Sequence, residues 1–309
     1  MKKIKVRCPA TVSNLCCGFD ILGMALNDPY ETIELTVSNT PGIRIKHTDD
    51  FKLTEKPDEN IAGIALQAMI NELDISYGFE VIINKQIRPG SGIGSSAASA
   101  AGIIVAANEL LGLSLSKKEQ VRFAMEGEVI ASGSRHADNL APCIYGGIIL
   151  IRDTATFDII ELPFPSMYVT ILHPQIDIKT SYARGILPEN VPLKSAVRQW
   201  ANVAGLIAGF MKSDYQLISR SLEDVIIEPV RSTLIPGFND IKTRCMLIGV
   251  MGGGISGSGP SVFMLSEKEE TAKDAENIMI EIYERLGIDF KTYVTTINKN
   301  GVEVIGRNE

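Results

Sequence analysis

Polar and apolar residues alternate with period two over residues 3–6, 31–37 and 43–47, which predicts strands with one buried face, the latter two antiparallel. Further strands are expected over 79–84, 148–151, 157–162, 168–172 and 291–296. Between them, helical segments are expected over 60–73, 97–111, 116–131, 195–211 and 214–227. An amphipathic helix over 267–286 ends at Gly287. Ser116-Lys-Lys-Glu119 is a capping box that opens the segment over 116–131. Strand and helix do not alternate regularly, so a doubly wound parallel sheet is not expected. Pro163 and Pro165 mark a boundary between two domains.

Two glycine-rich runs interrupt the pattern. Residues 88–101 read Arg-Pro-Gly-Ser-Gly-Ile-Gly-Ser-Ser-Ala-Ala-Ser-Ala-Ala, a turn of alternating glycines joined to a helix-prone segment that stops at Gly112. Gly90, Gly92 and Gly94 allow left-handed backbone and close approach of a ligand. A helix opening at Ser95 and Ser96 presents N–H groups without intrahelical acceptors and the positive end of its dipole, a ready anion site. The competing reading is a tight turn with a serine cap. The run has neither the Gly-Lys-Ser/Thr ending of a P-loop nor the dinucleotide fingerprint. The second run, 247–263, holds its glycines between two apolar strands, where such density indicates close backbone approach to a ligand or to another chain segment.

The chain has 309 residues, 45% hydrophobic and 22% charged, enough for one large or two medium globular domains. A net charge of −7 argues against a nucleic-acid surface, while a local basic pocket for a small anion stays possible. The 5 cysteines lack the spacing of a zinc site or a disulfide framework, which suggests a reducing compartment. The basic start lacks the apolar core of a signal peptide, and no run reaches membrane-spanning length. The expected location is cytoplasmic.

Polar residues of unusual density gather at a few places. Asn14 and Asp20 sit in a small-residue loop, as a pocket wall or as a capped turn. Glu126 and Glu128 fall near a helix C-terminus, which disfavours carboxylates unless a cation is near or both are solvated. Arg135, His136, Asp138 and Asn139 crowd into five positions, although an isolated histidine is more often a hydrogen-bonded core residue. No Gly-x-Ser-x-Gly elbow supplies a nucleophile for a triad. Arg184 and Arg231 lie at element ends, either as surface residues or as a clamp for a carboxylate or phosphate.

Three stretches in this order, 9–20, 89–99 and 252–260, resemble the motifs of the GHMP family of small-molecule kinases, named after galactokinase, homoserine kinase, mevalonate kinase and phosphomevalonate kinase. The resemblance spans residues 3–293, and Pro-Gly-Ser-Gly-Ile-Gly-Ser-Ser-Ala is its most specific motif. It implies an α+β fold of two domains: 1–163, ribosomal-protein-S5-like and ATP-binding, and 164–309, ferredoxin-like. The active site is expected between them.

The resemblance further implies that Arg88, Pro89, Gly90, Ser91, Gly92, Ile93, Gly94, Ser95, Ser96, Ala97 and Ala98 wrap the phosphates of ATP, with Asn60 near the adenine. Ser95 or Ser96, with Glu128, would hold Mg2+. Residues 9–20, 133–142 and Thr180 with Ala183, Arg184, Leu187 and Pro188 resemble most closely the members that act on L-homoserine. Arg184 and Arg231 would then take the carboxylate, and Asn14, Asp20, His136, Asp138 and Asn139 would surround the amino and hydroxyl ends, with Thr180 beside them. Asn139, Asp138, His136 and Arg184 are the expected catalytic residues. Mevalonate-kinase-like members pair an aspartate with a lysine, and no such partner for Asp138 is evident in this sequence. The implied reaction is phosphorylation of L-homoserine to O-phospho-L-homoserine on the way to threonine, in a homodimer without nucleic-acid or membrane partners. A different small alcohol such as mevalonate, or a non-catalytic nucleotide-binding regulator, are the alternatives.

Overall fold

The computed structural model describes residues 2–132 and 135–308, so Gly133 and Ser134 of the polar stretch lie outside the described residues. The first half contains β1 (Lys3–Ser13), β2 (Leu22–Ser38), β3 (Ile43–His47), α1 (Ile61–Glu72), β4 (Gly78–Asn84), α2 (Ser95–Leu111), α3 (Lys117–Ser132), α4 (Leu140–Tyr145), β5 (Ile148–Asp153) and β6 (Asp158–Leu162). The second contains β7 (Tyr168–Pro174), α5 (Thr180–Gly185), α6 (Leu193–Lys212), α7 (Tyr215–Ser221), α8 (Glu228–Arg231), α9 (Phe238–Leu247), β8 (Gly252–Ile255), β9 (Val262–Ser266), α10 (Glu269–Leu286), β10 (Phe290–Thr296) and β11 (Glu303–Asn308).

Seven strands form the first sheet in the order β11-β1-β2-β4-β3, with β5 and β6 continuing from the other end of β2. The alternation in β2 buries Ile33 and Leu35 on the face covered by helices. That cover is centred on α2, whose apolar residues occupy nearly every side, as expected of a helix enclosed by protein. Its small side chains allow it to lie directly on the sheet. A Cβ added at Gly102 would fall 2.2 Å from Cys8 Sγ, so glycine is required for this approach.

The second sheet runs β10-β7-β9-β8, antiparallel throughout. Numbered in chain order within this sheet, the strands lie 4-1-3-2, the ferredoxin-like arrangement. One face packs against Phe238 and Ile241 of α9 and Met279, Ile282 and Tyr283 of α10. The other contributes Val169, Ile171 and Phe263 to an apolar core continuous with that of the first sheet.

Several expectations change in the structure. β3 pairs with β4 in parallel, because α1 intervenes and brings the chain back in the same direction. β1 continues through residues 8–13, read from sequence as loop. The segment expected to be one helix over 214–227 stops at Ser221, after which the Asp224 carboxylate accepts from the backbone N–H of Ile226, Ile227 and Glu228. Neither α9 nor β11 was expected. β11 returns to pair with β1, so the last residues of the segment 164–309 belong to the first sheet.

Candidate active site between the two sheets

A cleft of about 340 Å³ opens where α2 begins, lined from the first half by Asn14, Asp20, Gly90 to Gly92, Ser96, Glu128, His136 and Asn139, and from the second by Thr180, Arg184, Arg231 and Gly257. Its floor is the glycine loop. Gly90, Gly92 and Gly94 have φ of 73°, 79° and 74°, left-handed values that an ordinary side chain resists. No side chain caps α2, which leaves its first N–H groups open to an anion.

The second glycine run explains itself by contact with the first. Ser261 donates from both its N–H and its hydroxyl to the Ser91 carbonyl, at 3.3 and 2.6 Å. Ser256 Oγ donates to the Gly92 carbonyl at 2.7 Å. A Cβ on Gly92 would lie 2.6 Å from the Gly259 carbonyl oxygen and 2.7 Å from that of Ser256. Of the two readings left open, close approach to another chain segment is the one seen: the C-terminal turn clamps the loop from behind.

The two serines separate in role. Ser95 is buried and its hydroxyl donates to the Ile87 carbonyl at 2.9 Å, whereas the Ser96 hydroxyl bonds the Glu128 carboxyl. Burial pushes Glu128 up to about 7 against that hydrogen bond, so a cation beside it would favour the ionised form. Ser96 and Glu128 offer two hard oxygen donors. Among the described residues no group of three or more His, Cys, Asp or Glu could hold a metal.

Not every residue of the expected phosphate site faces the cleft. Ile93, Ala97 and Ala98 are packed in the core. Arg88 reaches to Gln175 Oε1 at 2.6 Å and Asp177 at 3.6 Å, so its guanidinium fastens the loop to the second half of the chain. Asn60 is the N-cap of α1: its Oδ1 accepts from the N–H of Ala62 and Gly63, and its Nδ2 donates to the Thr54 carbonyl. Leu53 and Ile61, not Asn60, line the cleft nearby.

On the opposite wall, Asn14, Leu15 and Cys16 follow one another with positive φ, at 74°, 39° and 67°. Such a left-handed run is costly for L-residues and persists only where surrounding bonds fix it. Asn14 does so, accepting from the Asp20 N–H at 3.0 Å and donating to the Gly257 carbonyl at 2.9 Å. Asp20, itself at φ 62°, then projects between charged partners. Arg184 grips it with both terminal nitrogens at 2.8 and 3.0 Å, and His136 Nδ1 stands 3.6 Å away. Burial, and then the two arginines, lower the pKa of His136 against the pull of Asp20, and its Nε2 has no partner among the described residues.

Arg231 is 3% exposed and donates to the carbonyls of Ala183 and Gly257, each at 3.0 Å. Phe19 lies between the arginines, its ring centre 5.2 Å from the guanidinium of Arg184 and 5.0 Å from that of Arg231. Asn139 stands between the two halves of the site. Its Oδ1 accepts from Thr11 Oγ1 at 2.7 Å and its Nδ2 donates to Ser13 Oγ at 3.0 Å. Asp138 beside it is buried, which raises its pKa to about 7, aided by the charge of Asp20 and opposed by a hydrogen bond from Ser13. Thr180, at the start of α5, sits 3.3 Å from the Ser258 hydroxyl at the rim.

Matches to family models cover residues 60–147, as GHMP kinases N terminal domain, and 206–285, as GHMP kinases C terminal. A homoserine kinase of Chlorobium phaeobacteroides is 42% identical over 99% of this chain and 100% of its own. This chain belongs to the GHMP kinase family, among the homoserine kinases. The crystal structure of homoserine kinase from Cytophaga hutchinsonii superposes on this kinase with a TM-score of 0.94 at 43% identity, covering 98% of this chain and 97% of that one. A mevalonate kinase from L. major in complex with R-mevalonate shares the fold, with a TM-score of 0.73 at 17% identity over 96% of each chain. The matched regions include α2 and its loop, and the two-domain α+β class expected from the sequence stands as a kinase fold.

Sequence reasoning missed Lys85, Thr11, Ser13, Phe19 and Ser258, all tied to the site. Thr11 and Ser13 lay in a stretch read as loop. Lys85 carried a signal, since it follows the strand that feeds the glycine loop, yet its partners are remote in sequence.

Proposed function

We propose that this kinase transfers the γ-phosphoryl group of ATP to the hydroxyl of L-homoserine. The ion pair Asp20–Arg184, with Arg231 beside it and the anion-binding loop opposite, carries the reading. A zwitterion can enter such a pair without leaving a charge uncompensated: its ammonium takes Asp20 and its carboxylate takes Arg184 and Arg231. A carboxylate without an ammonium, such as mevalonate, would leave Asp20 without its arginine, a poor exchange in a half-buried setting. His136 and Asn14 would orient the amino end, and Thr180 would close over it.

ATP supplies the phosphoryl group and Mg2+ screens its charge. Ser96 and Glu128 are the residues that would hold the ion, and the cleft-facing part of the loop, Pro89 to Gly92 and Gly94, with the start of α2 would hold the phosphates. The substrate hydroxyl attacks phosphorus as the bond to ADP breaks. Asn139, fixed by Thr11 and Ser13, would orient that hydroxyl, and Asp138, with a pKa near neutral, would accept its proton. A loose transition state asks little of a base, so alignment and charge neutralisation carry most of the rate.

A step toward threonine follows from this product. Five cysteines, all buried and unpaired, support a reducing cytoplasm, and no helix among the described residues is long and apolar enough to cross a membrane. The exposed Leu193, Val197 and Trp200 on α6 support a homodimer. The deciding measurement is ADP release from Mg-ATP with homoserine, mevalonate or shikimate as acceptor. Release is expected with homoserine at least ~100-fold above the others, since unpaired buried charge costs several kcal/mol. Release driven by mevalonate and not homoserine would overturn the reading.

A further inference from the structure

Lys85 is a buried cation that the reaction just described does not use. It follows β4 directly, is 8% exposed, and still borders the cleft beneath the glycine loop. Its three donors are all engaged: Glu31 Oε2 at 2.5 Å, Ser99 Oγ at 2.6 Å and the Ser95 carbonyl at 2.9 Å. Glu31, fully buried on β2, accepts in turn from Ser99 Oγ at 2.6 Å through its other carboxylate oxygen.

A pair of this kind is a poor way to gain stability, because desolvating both charges offsets their attraction. Its placement suggests another use. Ser95 and Ser99 stand one turn apart on α2, and both ends of that turn are tied to a single ammonium. The turn fixed in this way is the one whose free N–H groups face the cleft, and it carries Ser96.

We infer that Lys85 is a positioning residue for the nucleotide phosphates, locking the first turn of α2 on the sheet through Ser95 and Ser99. Glu31 holds the ammonium in place and keeps the interior neutral. The nucleotide therefore meets donors already aimed, and little reorganisation is needed when charge shifts during transfer. This rests on the reading of the cleft as an ATP site, yet it does not depend on which acceptor is used.

The test compares Lys85→Met, Glu31→Gln and the double variant Glu31→Gln/Lys85→Met with the wild-type chain. Melting temperature, ADP affinity by calorimetry and the kinetic constants for each substrate are measured. Each single change strands one buried partner and is expected to lower the melting temperature; the neutral double variant is expected to recover most of it. ADP affinity should nevertheless stay at least ~10-fold weaker in the double variant, and kcat about 100-fold lower, with the KM for the acceptor unchanged. Recovery of ADP affinity and kcat together with stability would reduce the pair to a structural role and overturn the inference. Should the double variant fail to fold, Lys85→Arg decides: retained cation with restored ADP affinity supports the role, and undiminished ADP affinity in a folded Lys85→Met refutes it. ADP affinity is read without any acceptor, so an error in the acceptor assignment would leave this test intact.

Discussion

Asp138 and Glu128 are both carboxyls whose burial raises their pKa to about 7, but they face different tasks. Glu128 lies by Ser96 on the donor side, where a cation would keep it ionised. Asp138 lies on the acceptor side, where burial and the charge of Asp20 outweigh its hydrogen bond from Ser13 and leave it able to exchange a proton near neutral pH. Its raised value also bears on folding. The folded chain holds this proton up to about pH 7 while the unfolded chain releases it near pH 4, so stability falls as pH rises between those values. Asp138→Asn should remove that slope. Relative to the wild type, the variant is expected to gain on the order of 2 kcal/mol between pH 5 and pH 7, read from melting temperatures across that range. Turnover should fall in the same variant, because an amide cannot accept the hydroxyl proton. A parallel pH profile for the two proteins would mean that Asp138 is ionised throughout.

The glycine loop shows how far an element can be read before its surroundings are known. The alternation of glycines, the serines and the alanine-rich helix that follows were enough to place a turn with left-handed residues ahead of α2, and Gly90, Gly92 and Gly94 have that conformation. What the loop rests on was not legible, because Ser256, Ser261 and Gly259 lie more than 160 residues away. Gly92→Ala separates the two causes. Its Cβ would meet two carbonyl oxygens, whereas Gly112, also left-handed with φ 65°, has open space around it. Gly112→Ala should lose only the roughly 1–2 kcal/mol of left-handed strain and keep its kinetics. Gly92→Ala should lose more stability and, by shifting the donors, about 100-fold in kcat/KM. Equal kinetic losses from both variants would show that the clamp behind the loop is unimportant.

Across the whole molecule, the two halves are joined by more than a covalent linker. Their apolar cores merge, Arg88 ties the loop to Gln175 and Asp177, and β11 returns to the edge of β1. β11 is short and largely exposed, with Val304 and Ile305 adjacent and not alternating with polar residues, so no period-two pattern announced it, and its Arg307 donates to the Glu109 carbonyl at the end of α2. Ending the chain at Val302 uncovers residues 3–7 of β1 as an edge. The truncated protein is expected to melt lower, on the order of 5 °C, and to scatter light on heating. Its kcat should hold, because the part of β1 that meets the cleft, Thr11 to Ser13, pairs with β2 and not with β11. Unchanged melting would show that β11 contributes nothing to the sheet.

The local sequence sufficed for what depends on neighbours along the chain: the periodic strands, the Ser116–Glu119 capping box, whose hydroxyl and carboxylate bond each other's backbone as expected, and the anion-binding turn before α2. Resemblance across three short motifs added the kinase family. Only the tertiary structure decided that Asn60 is spent on capping α1, that the Ser95 hydroxyl is taken by the Ile87 carbonyl while Ser96 meets Glu128, and that Asp20 is gripped by Arg184 from 164 residues on. It also brought Glu31, Lys85 and Ser99 together. Charge pairs and hydrogen bonds of this kind join side chains that only the packing of sheets and helices makes neighbours, and no periodicity in the chain records them.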